Sequence, residues 1–105
     1  MKVHAGTRVV FVLGRRTRLD ARSIEASSAT ASEVVVLSVG YPVTRAQRRA
    51  VDSALGLAGR LGVTVDAVLV TSPTDLPDLV AEDARIVVTG SRGERRRLER
   101  LLSRI

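Results

Sequence analysis

The sequence predicts an α/β domain: an open, parallel, roughly four-stranded sheet with helices on both faces, in the order β-α-β-α-β-α-β-α. Three observations predict it. Four short runs are rich in β-branched residues. Several of these are continuously apolar rather than alternating, as strands covered on both faces are. Between them lie segments with helical apolar spacing, and such alternation implies crossover units and a parallel sheet. The 105 residues make one domain, 1–105, with no room for a second.

The first run is Arg8 to Leu13. After it, Leu19, Ile24 and a stretch of Ala and Ser predict a helix from about Leu19 to Ala31 with frayed ends, because Ser and Thr are weak helix formers. The second run is Glu33 to Val39. The clearest helix follows, from Thr44 to Leu61. Thr44 and Gln47 form a capping-box pattern, and Gly62 sits where a left-handed cap is needed. Ala46, Ala50, Val51, Ala54, Leu57, Ala58 and Leu61 make its expected buried stripe. The third run is Val63 to Val70. A short helix is expected after Ser72-Pro-Thr-Asp75, with Leu76, Leu79 and Val80 inward. The fourth run is Ala84 to Thr89. The last helix begins near Glu94; Leu98, Leu101, Leu102 and Ile105 share one face, and most of the arginines lie opposite.

Composition excludes several function classes. Without cysteine there is no disulfide framework, thiolate metal site or cysteine nucleophile. His4 alone makes no histidine cluster, so no metal site is expected. The apolar runs are too short for a membrane span or a signal peptide, so a cytoplasmic protein is expected. Lys and Arg number 17 against 11 Asp and Glu, and every basic residue but Lys2 is arginine. A net charge of +6 points to an anionic ligand. Aromatic residues are Phe11 and Tyr41 alone, which counts against a base-stacking single-strand binder.

Ligands of open α/β sheets bind beyond the carboxyl ends of the strands, so the strand-exit loops are the candidate site. In the last of them, Gly90 and Gly93 bracket Ser91 and Arg92 between a strand and a helix. The motif has two readings, a tight turn or a phosphate loop using backbone N–H groups and the helix dipole. In the second, Ser91 donates a hydroxyl and Arg92 supplies charge. The first loop adds Gly14, Arg15, Arg16 and Arg18, and Arg45 begins the helix after the second loop. Arginine forks suit phosphates. Val39 closes the second strand on the same edge, and Tyr41 beyond it is placed either to stack on a base or as a rim residue.

The stretch from Ala84 to Leu102, with its "IVVTGSRG" strand exit and leucine-bearing helix, resembles the C-terminal signature of universal stress proteins. The likeness extends from Val34 to Pro42, through the helix from Thr44 to Leu61, and to the acidic segment from Asp75 to Glu82. It implies a Rossmann-like, adenine nucleotide alpha-hydrolase-like fold and a non-catalytic stress-response module. It also implies ATP, AMP or another nucleotide as ligand and a homodimer. Gly90 and Gly93 match the family's G-x2-G-x9-G-[ST] pattern, whereas Ser103 and Arg104 depart from it. The family's first-strand aspartate is absent, since that exit reads Gly14-Arg15-Arg16, and its fifth strand has no counterpart.

Other classes find less in the chain. Asp66, Asp75, Asp78, Glu82 and Asp83 have no histidine base, Ser38 and Ser91 no evident activating partner, and no P-loop occurs. The Gly14 exit lacks the acidic pair of receiver domains, and the "VTGSRG" likeness to SLOG-type domains requires a permuted chain. The expectation is therefore a non-enzymatic module binding a nucleotide-like anion at the carboxyl edge. Two alternatives stand beside it: an interaction or oligomerisation module that has lost nucleotide binding, and nonspecific nucleic-acid binding through the arginines of the last helix.

Overall fold

A computed structural model describes residues 8–80 and 84–103. Its four strands are β1 (Arg8–Leu13), β2 (Glu33–Val39), β3 (Thr64–Val70) and β4 (Arg85–Thr89). They form one all-parallel sheet in the order β3-β2-β1-β4, a Rossmann-like open arrangement. The helices are α1 (Ala21–Ser28), α2 (Arg45–Leu61), α3 (Leu76–Leu79, after a 3-10 turn at Pro73–Asp75) and α4 (Arg92–Leu102). No helix among the described residues is long and apolar enough to cross a membrane.

The central strand β1 alternates its side chains between two cores. Val9, Phe11 and Leu13 pack with Val34 and Val36 beneath Ile24 of α1 and Ala50, Ala54 and Leu57 of α2. Val10 and Val12 pack with Leu37 and Val39 beneath Leu76, Leu98 and Leu102. Each strand face therefore has its own helix layer, which is why β1 shows no polar alternation.

Local chemistry explains the helix ends. The Thr44 hydroxyl accepts from the Gln47 N–H at 3.1 Å, and the Gln47 amide oxygen accepts from the Thr44 N–H at 2.9 Å. Gly62 ends α2 at φ 69°, a left-handed conformation that glycine adopts without strain. Asp20 caps α1 by accepting from the Ser23 N–H at 2.8 Å.

Several expectations need correction. Helix α1 is shorter than Leu19–Ala31, because Asp20 sets its start and Ala29 to Ser32 turn away into β2. Helix α4 starts two residues before Glu94, capped by Ser91. Ala58 and Leu61 lie exposed on α2, and Leu79 on α3, since each helix turns away from the sheet there. Strands β3 and β4 are covered less than their apolar sequences imply, because both are sheet edges and α3 has a single turn. His4, Glu82, Asp83, Arg104 and Ile105 lie outside the described residues.

Candidate functional site

After β1, β2 and β3 have been laid down toward one side, the chain returns to place β4 on the other side of β1. The exits of β1 and β4 therefore adjoin at the switch point, and Gly14 and Gly90 face each other there. The Gly14 N–H donates to the Thr89 carbonyl at 2.8 Å. A Cβ on Gly14 would stand 2.9 Å from that carbonyl oxygen, closer than packed atoms allow. Gly90 has φ 141°, and a Cβ there would stand 2.9 Å from the Glu94 carboxylate and 3.3 Å from the Gly14 Cα. Both glycines are required by close approach.

The group they make room for is the carboxylate of Glu94. Its Oε2 accepts from the Arg15 N–H at 2.7 Å. Its Oε1 accepts from the Arg16 N–H at 3.0 Å and from the Ser91 N–H at 2.9 Å. The Glu94 N–H in turn donates to the Ser91 hydroxyl at 3.3 Å, completing a second capping box. Three backbone donors from two loops thus converge on one anion, and the anion is internal. Burial works against its charge, but the N–H groups of Ser91, Arg16 and Arg15 together with the Ser91 hydroxyl outweigh that. They hold the carboxyl below its ordinary value of 4.5.

Polar ties seal the surroundings. The Thr89 hydroxyl donates to the Val12 carbonyl at 3.3 Å and pairs with the Thr17 hydroxyl at 2.6 Å. On the other side Thr44 donates from its hydroxyl to the Arg15 carbonyl at 2.9 Å. Buried Gln47 sends its amide N–H groups to the carbonyls of Leu13 (3.0 Å) and Val39 (2.9 Å), joining the ends of β1 and β2 to α2.

The structure brings Gly14, Arg15, Arg16, Gly90 and Ser91 together as the sequence expects, but around Glu94. The Arg15 side chain lies over Gly40. Val39 is buried and lines the residual pocket, which holds about 110 Å³ and is bounded also by Gly14, Gly40, Pro73, Arg97 and Leu98. Arg92 points to solvent on α4, Gly93 lies in its first turn with open space around its Cα, and Tyr41 stands 73 % exposed on the rim. Glu94 and Gln47 are the two site-building residues that no ligand motif marks. The signal for Glu94 was present, since Ser91-Arg-Gly-Glu94 has the same capping spacing as Thr44-Arg-Ala-Gln47. Among the described residues no group of three His, Cys, Asp or Glu is placed to hold a metal ion.

Compared with protein-family models, curated proteins and solved structures, the chain gives no significant match.

Proposed function

We propose that this chain is a non-catalytic interaction module of the universal-stress-protein kind whose ligand cleft is closed by its own glutamate. One observation carries the reading: the Glu94 carboxylate takes the three backbone N–H groups to which a ligand phosphate would bind. The space left beside it, about 110 Å³, is well below the roughly 300–1,000 Å³ of small-molecule sites. A nucleotide therefore does not fit the cleft as built. The departures from the family pattern at Ser103, Arg104 and the Gly14-Arg15-Arg16 exit agree with this. Among the described residues β3 and β4 are the sheet's outer strands, which offers two edges for self-association, in keeping with the homodimer that the resemblance implies. By the same resemblance the module acts in a cytoplasmic stress response.

The test is a thermal-shift panel of ATP, AMP and a cyclic dinucleotide on the full chain. Melting temperatures should stay flat. A rise that Arg92→Ala or Gly93→Trp abolishes would overturn the closed-cleft reading and restore a nucleotide-binding module.

A further inference from the structure

We infer that the carboxyl edge of the sheet is a docking face for a single strand of nucleic acid, with phosphates on arginines and one base on Tyr41. The inference deepens the interaction-module reading by naming the partner's chemistry. It moves the expected nucleic-acid surface from the last helix alone to an edge built by three elements.

The charge is distributed along the sheet axis. Away from the carboxyl edge, Arg8 pairs with Glu33 at 2.6 Å and Arg60 with Glu25 at 3.2 Å, while Arg85 and Arg100 stand exposed and apart. The carboxyl edge gathers more of them. Arg15, Arg16 and Arg18 stand exposed on the β1 exit loop, which sits centrally. The Thr44–Arg15 bond fastens the start of α2 to one side of that loop, and α2 adds exposed Arg45, Arg48 and Arg49. The Glu94 bonds fasten the start of α4 to the other side, and α4 adds exposed Arg92, Arg95 and Arg96. Among the described residues none of these arginines makes an ion pair.

Carboxylates on this edge do little to neutralise it. Glu94 is turned inward onto backbone amides, and Asp20 is engaged by the Ser23 N–H. Asp75, in the 3-10 turn that leaves β3 and packs beside α4, and Glu99, beside Arg92, Arg95 and Arg96, are two exposed carboxylates against the nine arginines. The N-termini of α1, α2 and α4 also face this way, so their dipoles add to the positive potential. The result is a basic face spread over three elements, with Glu94 in the cleft between β1 and β4. Charges spread in this way suit an extended polyanion better than a small ligand.

Tyr41 favours nucleic acid among polyanions: two aromatic residues are too few for a row of stacked bases, but one exposed ring is enough for one base. It is the chain's one exposed aromatic side chain, 73 % accessible, while Phe11 is fully buried. It follows Gly40, over which the Arg15 side chain lies, so Tyr41 and Arg15 belong to the same basic edge. An exposed aromatic among arginines is what a flexible strand with unpaired bases uses, the ring stacking a base while the charges track the backbone. Tyrosine also serves protein and lipid interfaces, which is why polyglutamate and anionic vesicles belong in the test.

The experiment is fluorescence anisotropy with a labelled oligonucleotide of about 12 thymidines, a length within the usual site size of such proteins, titrated across KCl concentrations. Wild type should bind at low salt and weaken as salt rises. Arg16→Ala, Arg49→Ala and Arg92→Ala together, one from each element, should cost tenfold or more. They should also flatten the log–log salt slope by about 2, from roughly 0.7 per phosphate contact. Among the described residues none of the three side chains has a hydrogen-bond or ion-pair partner, so the variant stays folded. Tyr41→Ala should weaken binding by about 5- to 150-fold with the slope unchanged. Arg60→Ala, Arg85→Ala and Arg100→Ala together remove the same charge elsewhere and should leave the slope as it is.

No binding by wild type, or equal loss in the two triple variants, overturns the inference. So does displacement by polyglutamate at matched charge, or anionic vesicles binding where the oligonucleotide does not. A failure here leaves the closed cleft intact, whereas a nucleotide-induced thermal shift overturns the closed cleft and not this face.

Discussion

Replacing Glu94 by alanine tests the closed switch point directly. The change removes a charged acceptor from three backbone N–H groups at 2.7, 3.0 and 2.9 Å. Hydrogen bonds to charged groups contribute about 1.5–3 kcal/mol when buried. The Arg15 and Arg16 donors are exposed and rehydrate once freed, so about 1 kcal/mol per bond is the better figure, roughly 3 kcal/mol together. For a domain near this size that lowers the melting temperature by about 12 °C, at ~4 °C per kcal/mol. The deletion also leaves three converged donors without an acceptor, so millimolar sulfate or phosphate should stabilise the variant more than wild type, the exposed arginines giving both the same background response. Glu94 adds a pH signature. Its folded-state pKa is depressed, so its contribution is complete above the ordinary value of 4.5 and is lost as pH falls through the lower folded value. Wild type should therefore lose stability below about pH 4.5, and Glu94→Gln should not show that component. Calorimetry across pH and anion concentration reads all of this. A loss under 1 kcal/mol in Glu94→Ala, or equal anion stabilisation of wild type and variant, would refute the assignment of the carboxylate as internal ligand.

Two further substitutions probe the interior. Gln47→Glu replaces a buried donor to two carbonyls with an acceptor, so urea unfolding should show a loss of ~3 kcal/mol or more; a loss under 1 kcal/mol would show the amide to be dispensable. Ser28→Ala removes a buried hydroxyl that has no hydrogen-bond partner among the described residues and should raise stability by about 1 kcal/mol in the same assay, with destabilisation as the contrary result.

Much of the fold was legible because its determinants are local. β1 and β2, the Thr44–Gln47 cap and the Gly62 stop all lie within a few residues of the signals that announce them. The site was legible only in part, for a physical reason. Gly14, Arg15, Arg16, Gly90 and Ser91 were recognisable as loop residues at the right edge. What occupies their amides depends on Glu94 meeting Arg15 and Arg16 across 79 and 78 residues, and no local pattern encodes that distance. The same holds for Gln47. Its capping role follows from three-residue spacing, but its bond to Leu13 spans 34 residues. The exposure of β3 was hidden for another reason. A run such as Val68-Leu-Val70 reads as doubly covered, and only the single turn of α3 reveals that one cover is missing.

A carboxylate tethered in the switch point changes how the domain responds to its surroundings. When the occupant is a separate molecule, the stability of the fold follows its concentration as RT ln(1 + [L]/Kd). Here the occupant is covalently part of the chain, so it is present at a fixed effective concentration whatever the cell contains. Any outside anion must displace it, one for one, before gaining the same amides. The cleft is therefore constitutively satisfied, and the geometry of the carboxyl edge does not wait on metabolite supply.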